Sequence, residues 1–381
     1  MSPASVVSRV RRTVVSMGKR VLISTPAENL VMAAMRGVFV PLIALRRGAA
    51  EASLPVVTVI VPVYNVRRYL AVCMDSLLAQ TYRNIRVIVV DDGSTDGSVD
   101  VARSYARRFA SVTVIEQANA GLAAARNTGV EAIDHTDFVM FVDSDDVVPP
   151  GTIARYVRAM GANDLVVGSA WRMRGLFFQQ RQGHLYRRDI ASTTLSDSVQ
   201  YISDVTAWNK LIRWSLWSGA GLRFPDGFLY EDMAVMTDAY ARASTFGVVR
   251  TASYWWRVRT GSTPSITQRR WEPVNLEHRL HAVTETRRVL AKHFGDQPQH
   301  PIWEYYRWSV IRYDFQFYVE MLPRTDEAYF ATFARSAADL FGDASDEFWA
   351  TCPPRYVPAI RAVVAGNRER ALEELAAVGI R

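Results

Sequence analysis

Between Val56 and Val142, apolar runs that favour strands alternate with stretches of helical spacing. That alternation constrains the fold more tightly than any other feature of the chain. Val56 to Val63 is a β-branched run, and Tyr69 to Leu78 places apolar residues at helical intervals. Val87 to Val90 reads as a buried strand, Val99 to Phe109 as a helix and Val112 to Ile115 as a strand. Gly121 to Ala132 then reads as a helix and Phe138 to Val142 as a further strand. Strands separated by helices imply a parallel sheet with right-handed crossovers. The predicted class is α/β, a Rossmann-like nucleotide-binding sheet followed by a helical C-terminal region. The G-x-G-x-x-G of dinucleotide enzymes and the G-x-x-x-x-G-K-[ST] of P-loops are both missing from these strand ends, so neither reading is supported.

In an open parallel sheet, ligands bind outside the carboxyl ends of the strands. Each predicted strand end here carries polar residues. Pro62, Tyr64 and Asn65 follow the first strand. Asp91, Asp92, Gly93, Ser94, Thr95 and Asp96 follow the second. The aspartates can accept from a base or a ribose hydroxyl, and Gly93 lets a ligand approach the backbone closely. Glu116, Asn119 and Gly121 follow the third strand, then A-R-N-T-G, in which Arg126 offers forked donors to a pyrophosphate. The fourth strand ends in Asp143, Asp145 and Asp146, and Pro149 and Pro150 stop the element. A D-x-D at such a place supplies hard oxygen ligands for Mg²⁺ or Mn²⁺, the ions that usually bridge protein carboxylates and substrate phosphates. Each loop alone also reads as a turn. Four in succession at one sheet edge point to a ligand site.

The formal charge of +7 is localised. Residues 1–50 hold eight basic side chains (Arg9, Arg11, Arg12, Lys19, Arg20, Arg36, Arg46, Arg47) against one acid, Glu28, and the rest of the chain balances at zero. A neutral body with a basic arm argues against a nucleic-acid surface spread over the fold. It points to one electrostatic contact, an anionic membrane surface met through residues 1–50. Leu30 to Leu45 is strongly apolar, but Arg36, Gly37 and Pro41 interrupt it, so a transmembrane helix is not expected. An interfacial segment is the preferred reading, and a pair of helices packed on the domain is the alternative. Two cysteines, Cys73 and Cys352, give no disulfide framework and no cysteine-rich zinc site. A reducing compartment follows, and with the arm this gives an expected location at the inner face of the cell membrane.

The runs V-I-V-P-V-Y-N, V-I-V-V-D-D-G-S-T-D-G-S, A-N-A-G-L-A-A-A-R-N-T-G and F-V-D-S-D-D resemble, in order and spacing, the N-terminal motifs of inverting family 2 glycosyltransferases with the GT-A fold. The resemblance covers about residues 56–150 and implies a nucleotide-sugar donor, usually UDP-linked. It implies Asp91 and Asp92 near the base and ribose, Arg126 near the diphosphate, Asp143 facing the ribose and near the metal, and Asp145 holding the divalent ion. Pro62, Tyr64, Gly93, Ser94 and Asn119 line the same donor site by this reading.

A-W-N-K-L and F-L-Y-E-D, within Ala207 to Asp232, are similar to the acceptor-side segments of the family. Lys210 is one of three lysines in a chain with 42 arginines. Its retention suggests either a need for a compact ammonium at the donor or a surface accident. Glu231 and Asp232 match the position from which such enzymes draw the catalytic base. Asp232 is assigned that role, with Glu231 contacting the sugar or orienting the site. A helix-capping role for the pair is compatible with both. The segment Tyr254 to Trp271 resembles the loop that closes over the donor diphosphate, with Arg257, Arg259 and Ser262 as candidates. Its Q-R-R-W is one residue short of the Q-x-x-R-W of processive synthases, so processive membrane synthesis is not expected.

The stretch from Y-E-D to S-I-T-Q-R-R is similar to glycosyltransferases of bacterial teichoic-acid and capsule assembly. That similarity implies a polyol-phosphate or lipid-linked glycan acceptor. Residues 271–381 have helical spacing and many aromatics (Trp303, Tyr305, Tyr306, Trp308, Tyr313, Phe315, Phe317, Tyr318). These read as core or as an interface for a homo-oligomer, with a sugar-stacking platform as the sharper alternative. The expected organisation is a basic segment at 1–54, a GT-A domain at 55–270 and a helical region at 271–381. Two other classes fit parts of the pattern: a non-catalytic sugar-nucleotide-binding protein and a membrane-recruited assembly factor.

Overall fold

The computed structural model describes residues 25–45, 53–175, 177–259, 269–295 and 300–381. The basic residues before Thr25, together with Arg46, Arg47 and Ser262, lie outside this set. The chain divides into two compact units, the first from Met1–Thr194, Thr206–Gly227 and Arg242–Thr263, the second from Leu195–Val205, Phe228–Ala241 and Pro264–Arg381.

The first unit holds the sheet. Its elements in chain order are α1 (Thr25–Leu45), β1 (Val57–Val63), α2 (Arg67–Leu78), β2 (Ile85–Asp92), α3 (Ser98–Ala106), β3 (Val112–Gln117), α4 (Leu122–Glu131) and β4 (Phe138–Phe141). There follow α5 (Thr152–Met160), β5 (Leu165–Arg174), β6 (Phe177–Gln180), β7 (Ile190–Thr193), β8 (Lys210–Arg213), α6 (Trp214–Gly219) and, after a helix of the second unit, β9 (Phe246–Arg257). Among the described residues the nine strands form one sheet in the order β3-β2-β1-β4-β8-β5-β9-β7, with β6 on the edge of β5.

Strands β1 to β4 are parallel, as the alternation predicts. Every residue of β1 is buried, which is why its apolar run is continuous and not alternating. The chain steps outward from β1 to β2 and β3, then returns to β4 on the other flank of β1. Beside β1, therefore, the strand order reverses and the loops part, the usual ligand crevice of such sheets. Beyond β4 the sheet becomes mixed: β8 lies antiparallel to both β4 and β5, while β9 runs parallel to β5.

Helix α4 lies so close to β1 that a Cβ added at Gly129 would sit 2.5 Å from Ile60 Cγ2. The glycine of A-R-N-T-G thus sets the helix–strand separation. Gly129→Ala is expected to destabilise the protein by about 1–3 kcal/mol through overpacking, read as a lowered denaturation midpoint at unchanged slope.

Helix α1 packs through Val31, Met32, Met35 and Phe39 against Tyr69, Val72, Ala79, Val147 and Met173. Arg36 Nε donates to the buried Asp75 carboxylate at 2.7 Å, and the Tyr105 hydroxyl donates to its other oxygen at 2.6 Å. The apolar stretch is therefore one helix held on the domain by one face. Among the described residues no helix is long and apolar enough to cross a membrane.

The second unit is helical: α7 (Asp232–Arg242), α8 (Pro273–Phe294), α9 (Pro301–Val310), α10 (Gln316–Val319), α11 (Glu327–Phe341), α12 (Asp346–Thr351), α13 (Val357–Val364) and α14 (Arg368–Ala377). A π-helical turn, Ile311–Phe315, joins α9 to α10. Part of the aromatic run is core: Tyr306, Phe315 and Tyr318 are buried, the other five are half-buried, and Phe315 meets the edges of Phe333 and Phe341.

Candidate active site

The acidic turn after β4 is held from two sides. Arg126, buried on α4, donates from Nη2 to Asp143 Oδ1 at 2.8 Å. From the other side, the end of β9 docks through a bridge between Val147 and Trp255. It brings the Tyr254 hydroxyl to Asp146 Oδ2 at 2.7 Å and the Arg257 backbone N–H to Asp146 Oδ1 at 2.7 Å. The same hydroxyl accepts from the Asp143 N–H at 3.1 Å. Arg257 Nε donates to the Asp145 carbonyl at 2.7 Å, and Arg259 Nε donates to Asp145 Oδ2 at 2.6 Å. Both guanidiniums lie over the Tyr69 ring, at 5.3 and 5.9 Å from its centroid, a geometry that favours cations.

The three carboxylates have different environments. Asp146 is fully buried. Burial first, then the charges of Asp145 and Asp143, push its carboxyl well above the usual carboxylate range, against the pull of its two donors. It ties β9 to the turn and does not face a ligand. Burial and the same acids push the Cys73 thiol up as well, which removes it as a nucleophile. Asp143 and Asp145 keep side-chain exposures of 27% and 15%, so of the three carboxylates these two are open to solvent.

At the end of β2, Asp91 Oδ2 accepts from the Ser94 N–H at 3.0 Å, while its buried Oδ1 has no hydrogen-bond partner among the described residues. A buried carboxylate oxygen left unpaired is costly, and a ligand donor would satisfy it. Asp92 is already occupied. Its Oδ1 accepts from Gln117 Nε2 and the Ala120 N–H, and its Oδ2 from the Gly121 N–H, each at 2.8 Å. These bonds brace the loop that launches α4 and so fix the base of the helix that carries Arg126. Gly93 has φ of +74°, and a Cβ there would lie 2.9 Å from the Asn119 backbone nitrogen, so both conformation and space require glycine. Asn119 is exposed, with its amide on the Asp92 carbonyl at 3.1 Å. Ser94 Oγ accepts from the Asn65 N–H at 3.1 Å, which links this loop to the end of β1. There Pro62 is buried within the strand and Tyr64 stands half exposed.

A divalent ion fits this donor set. Among the described residues no three carboxylate, histidine or cysteine groups form a metal cage. Mg²⁺ and Mn²⁺ at phosphate sites need only one or two carboxylates, with phosphate oxygens and water completing the shell. Asp145 and Asp143 supply hard oxygens of that kind at the sheet edge.

Lys210 is not a surface residue. It is fully buried on β8, and its ammonium donates to the Thr206 carbonyl at 2.7 Å and to Asn209 Oδ1 at 2.8 Å. Spacing alone does not reveal Asn127, whose amide and carbonyl oxygen pair with the Phe224 backbone at 2.8 and 3.0 Å. Nor does it reveal Tyr254; the motif places Arg257 and Arg259, but only the fold shows the tyrosine three residues earlier meeting Asp146.

In the second unit, the Y-E-D segment is set by a buried polar network. Tyr230 has φ of +64°, a conformation that costs a bulky residue of order 1–3 kcal/mol and persists only when its surroundings enforce it. Its hydroxyl donates to Asn275 Oδ1 at 2.9 Å and accepts from the Tyr318 hydroxyl at 3.0 Å. Arg279 lies 4.4 Å over its ring and pairs with the buried Asp314 of the π turn. One residue earlier, the Leu229 N–H donates to His278 Nδ1 at 3.1 Å. Four residues of α8 and its neighbours thus fix the backbone immediately before Glu231, which is buried, and Asp232, which is half-buried and opens α7.

The model of glycosyl transferase family 2 matches residues 58–215. The uncharacterized glycosyltransferase EpsJ of Bacillus subtilis is 30% identical over 255 residues, which is 64% of this chain and 71% of EpsJ. The poly(ribitol-phosphate) beta-glucosyltransferase of Bacillus spizizenii is 28% identical over 210 residues, 53% of this chain and 32% of that protein. The chain spans about a third of the length of the Streptococcus pneumoniae glycosyltransferase GlyA, to which it is 32% identical over 227 residues. Among solved structures, residues 1–349 of S. aureus TarS, in complex with UDP-GlcNAc, share the fold with a TM-score of 0.66 at 19% identity, over 85% of this chain and 92% of that one. A GT-A sheet, the family model over residues 58–215 and a relative 30% identical over 71% of its own length make this chain a member of glycosyl transferase family 2.

Proposed function

We propose that the chain transfers one sugar, with inversion, from a UDP-sugar to a hydroxyl of a polyol-phosphate polymer or lipid-linked glycan of the cell envelope, of the teichoic-acid or capsule type. The observation that carries the donor half is the unpartnered Asp91 oxygen at the end of β2, on the sheet edge that also presents Arg126, Asp143, Asp145 and Arg259. An acceptor for a base or ribose donor lies on the same edge as cations for a diphosphate, which suits a nucleoside diphosphate better than a free sugar. The UDP-GlcNAc complex of TarS and the poly(ribitol-phosphate) activity named for the Bacillus spizizenii relative support the two substrate classes.

The chemistry is a single displacement. The acceptor oxygen attacks the anomeric carbon, its proton passes to Asp232, and the bond to the diphosphate oxygen breaks with both electrons leaving on UDP. Glu231 orients the sugar or the base. Arg126 and Arg259 offer N–H donors toward the negative charge that grows on the leaving diphosphate. Asp145, with Asp143, would hold Mn²⁺ or Mg²⁺, which when bound supplies further charge neutralisation of that diphosphate.

The test is a panel of UDP-, GDP- and CMP-sugars incubated with Mn²⁺ or with EDTA, with nucleotide release measured. Slow hydrolysis of a UDP-sugar that EDTA abolishes is the expected result. Release only from GDP- or CMP-sugars would overturn the UDP assignment, and equal release in EDTA would overturn the role of the D-x-D.

A further inference from the structure

Helix α1 is apolar on both sides. Its inner face packs on the domain, yet Leu30, Ala33, Ala34, Gly37, Val40, Pro41 and Ala44 are exposed, Leu30 at 60% and Val40 at 46%. These positions recur at intervals of three and four, so they form one stripe along a helix about 31 Å long at 1.5 Å per residue. The helix's single charge among its described side chains, Arg36, is spent on the buried Asp75. A helix apolar all round is at home in a core or against lipid, and this stripe has no protein cover among the described residues.

The charge around it selects the occupant. The sequence places Arg46 and Arg47 directly after the helix and Arg9, Arg11, Arg12, Lys19 and Arg20 before it, with no acid in residues 1–27. Near its C-terminal end, Ile43 lines a hollow of about 680 Å³ together with Arg83 and Arg86, with Asp134 the only acid on the rim. That hollow opens at the amino-terminal edge of the sheet, beside Ile85, away from the acidic turn. We propose that the exposed stripe of α1 lies in the headgroup–acyl boundary of an anionic bilayer, to which the excess of basic residues that the sequence concentrates in 1–50 is attracted. Apolar burial and attraction to acidic headgroups are the two contributions that bind interfacial helices. The anchoring does not depend on the chemistry proposed above.

The experiment uses the full chain and vesicles of phosphatidylcholine with or without phosphatidylglycerol. Co-sedimentation is expected to be at least tenfold stronger on the anionic vesicles and to fall as salt is raised. Leu30→Glu/Val40→Glu is expected to weaken it at least tenfold while nucleotide release in vesicle-free buffer stays at the wild-type rate. Because Cys73 and Cys352 are buried, an environment-sensitive dye on Leu30→Cys or Val40→Cys reports the stripe directly, and its emission should shift to the blue on anionic vesicles. Binding that is equal on neutral vesicles, or unchanged in the double variant with no dye shift, would overturn the proposal. So would concentration-dependent dimerisation lost in the double variant without vesicle binding, which would assign the stripe to a second copy.

Discussion

Asp145→Asn is expected to lower metal-dependent nucleotide release by about 10²–10³-fold, the scale on which removal of one preorganised charge contact slows group transfer. Two features put Asp145 ahead of its neighbours. Asp146 is buried and holds Tyr254 and the Arg257 backbone, so its loss would loosen β9 before it touched a ligand. Asp143 shares its charge with Arg126, which is itself buried. Asp145 alone combines partial exposure with a partner, Arg259, that is held from the far end of β9. An asparagine keeps the shape and the Arg259 contact but removes the charge that a divalent ion needs. Mn²⁺ titration followed by calorimetry or by electron paramagnetic resonance should therefore lose its high-affinity phase in Asp145→Asn, while the melting temperature in EDTA stays close to wild type. Release within threefold of wild type at saturating Mn²⁺ would sink the assignment.

What could be read from the chain alone was local along it. The strand–helix alternation, the glycine at Gly93 and the D-x-D are short-range patterns, and the parallel half of the sheet follows them strand by strand. The antiparallel part was not legible. Strand β8 is four residues long, too short for a period, and it reaches its place between β4 and β5 only because both leave an edge to be paired. Contacts across long sequence separations were equally hidden. Tyr254 and Asp146 are 108 positions apart, and neither residue type announces the other. Rarity alone does not place Lys210: it allows a ligand contact or an accident of the surface, and the fold excludes the second by burying the ammonium on a carbonyl and an amide oxygen. The doublet Asp91-Asp92 divides in a way that sequence cannot foresee. Adjacent strand residues point to opposite faces, and so Asp92 ties down the Asn119 loop while Asp91 keeps a buried oxygen with no hydrogen-bond partner among the described residues. Helix α1 divides likewise, with one apolar face accounted for by packing and the other not.

Asp232→Asn is expected to reduce transfer to acceptor by about 10²–10⁴-fold, the usual contribution of a positioned general base, while UDP binds as tightly as to wild type. The comparison that decides the role is with Asp232→Ala. Asp232 is the first residue of α7, where a carboxylate also favours the helix N-terminus, so an alanine could slow the enzyme simply by fraying the helix. Asparagine keeps the shape of the side chain and an accepting oxygen at this first helical position and loses only the charge–dipole contribution, roughly 0.3–1 kcal/mol, but it cannot take a proton. If Asp232 acts only on the helix, Asn restores both the melting temperature and the rate. If it is the base, Asn restores the melting temperature and leaves transfer as low as in Ala. The strained Tyr230 beside it, fixed by Asn275, Tyr318 and Arg279, fits the second case better. A helix end needs no such support from three side chains, whereas a group that must meet a hydroxyl within hydrogen-bond reach does. Transfer by Asp232→Asn at more than a tenth of the wild-type rate would remove the residue from the chemistry.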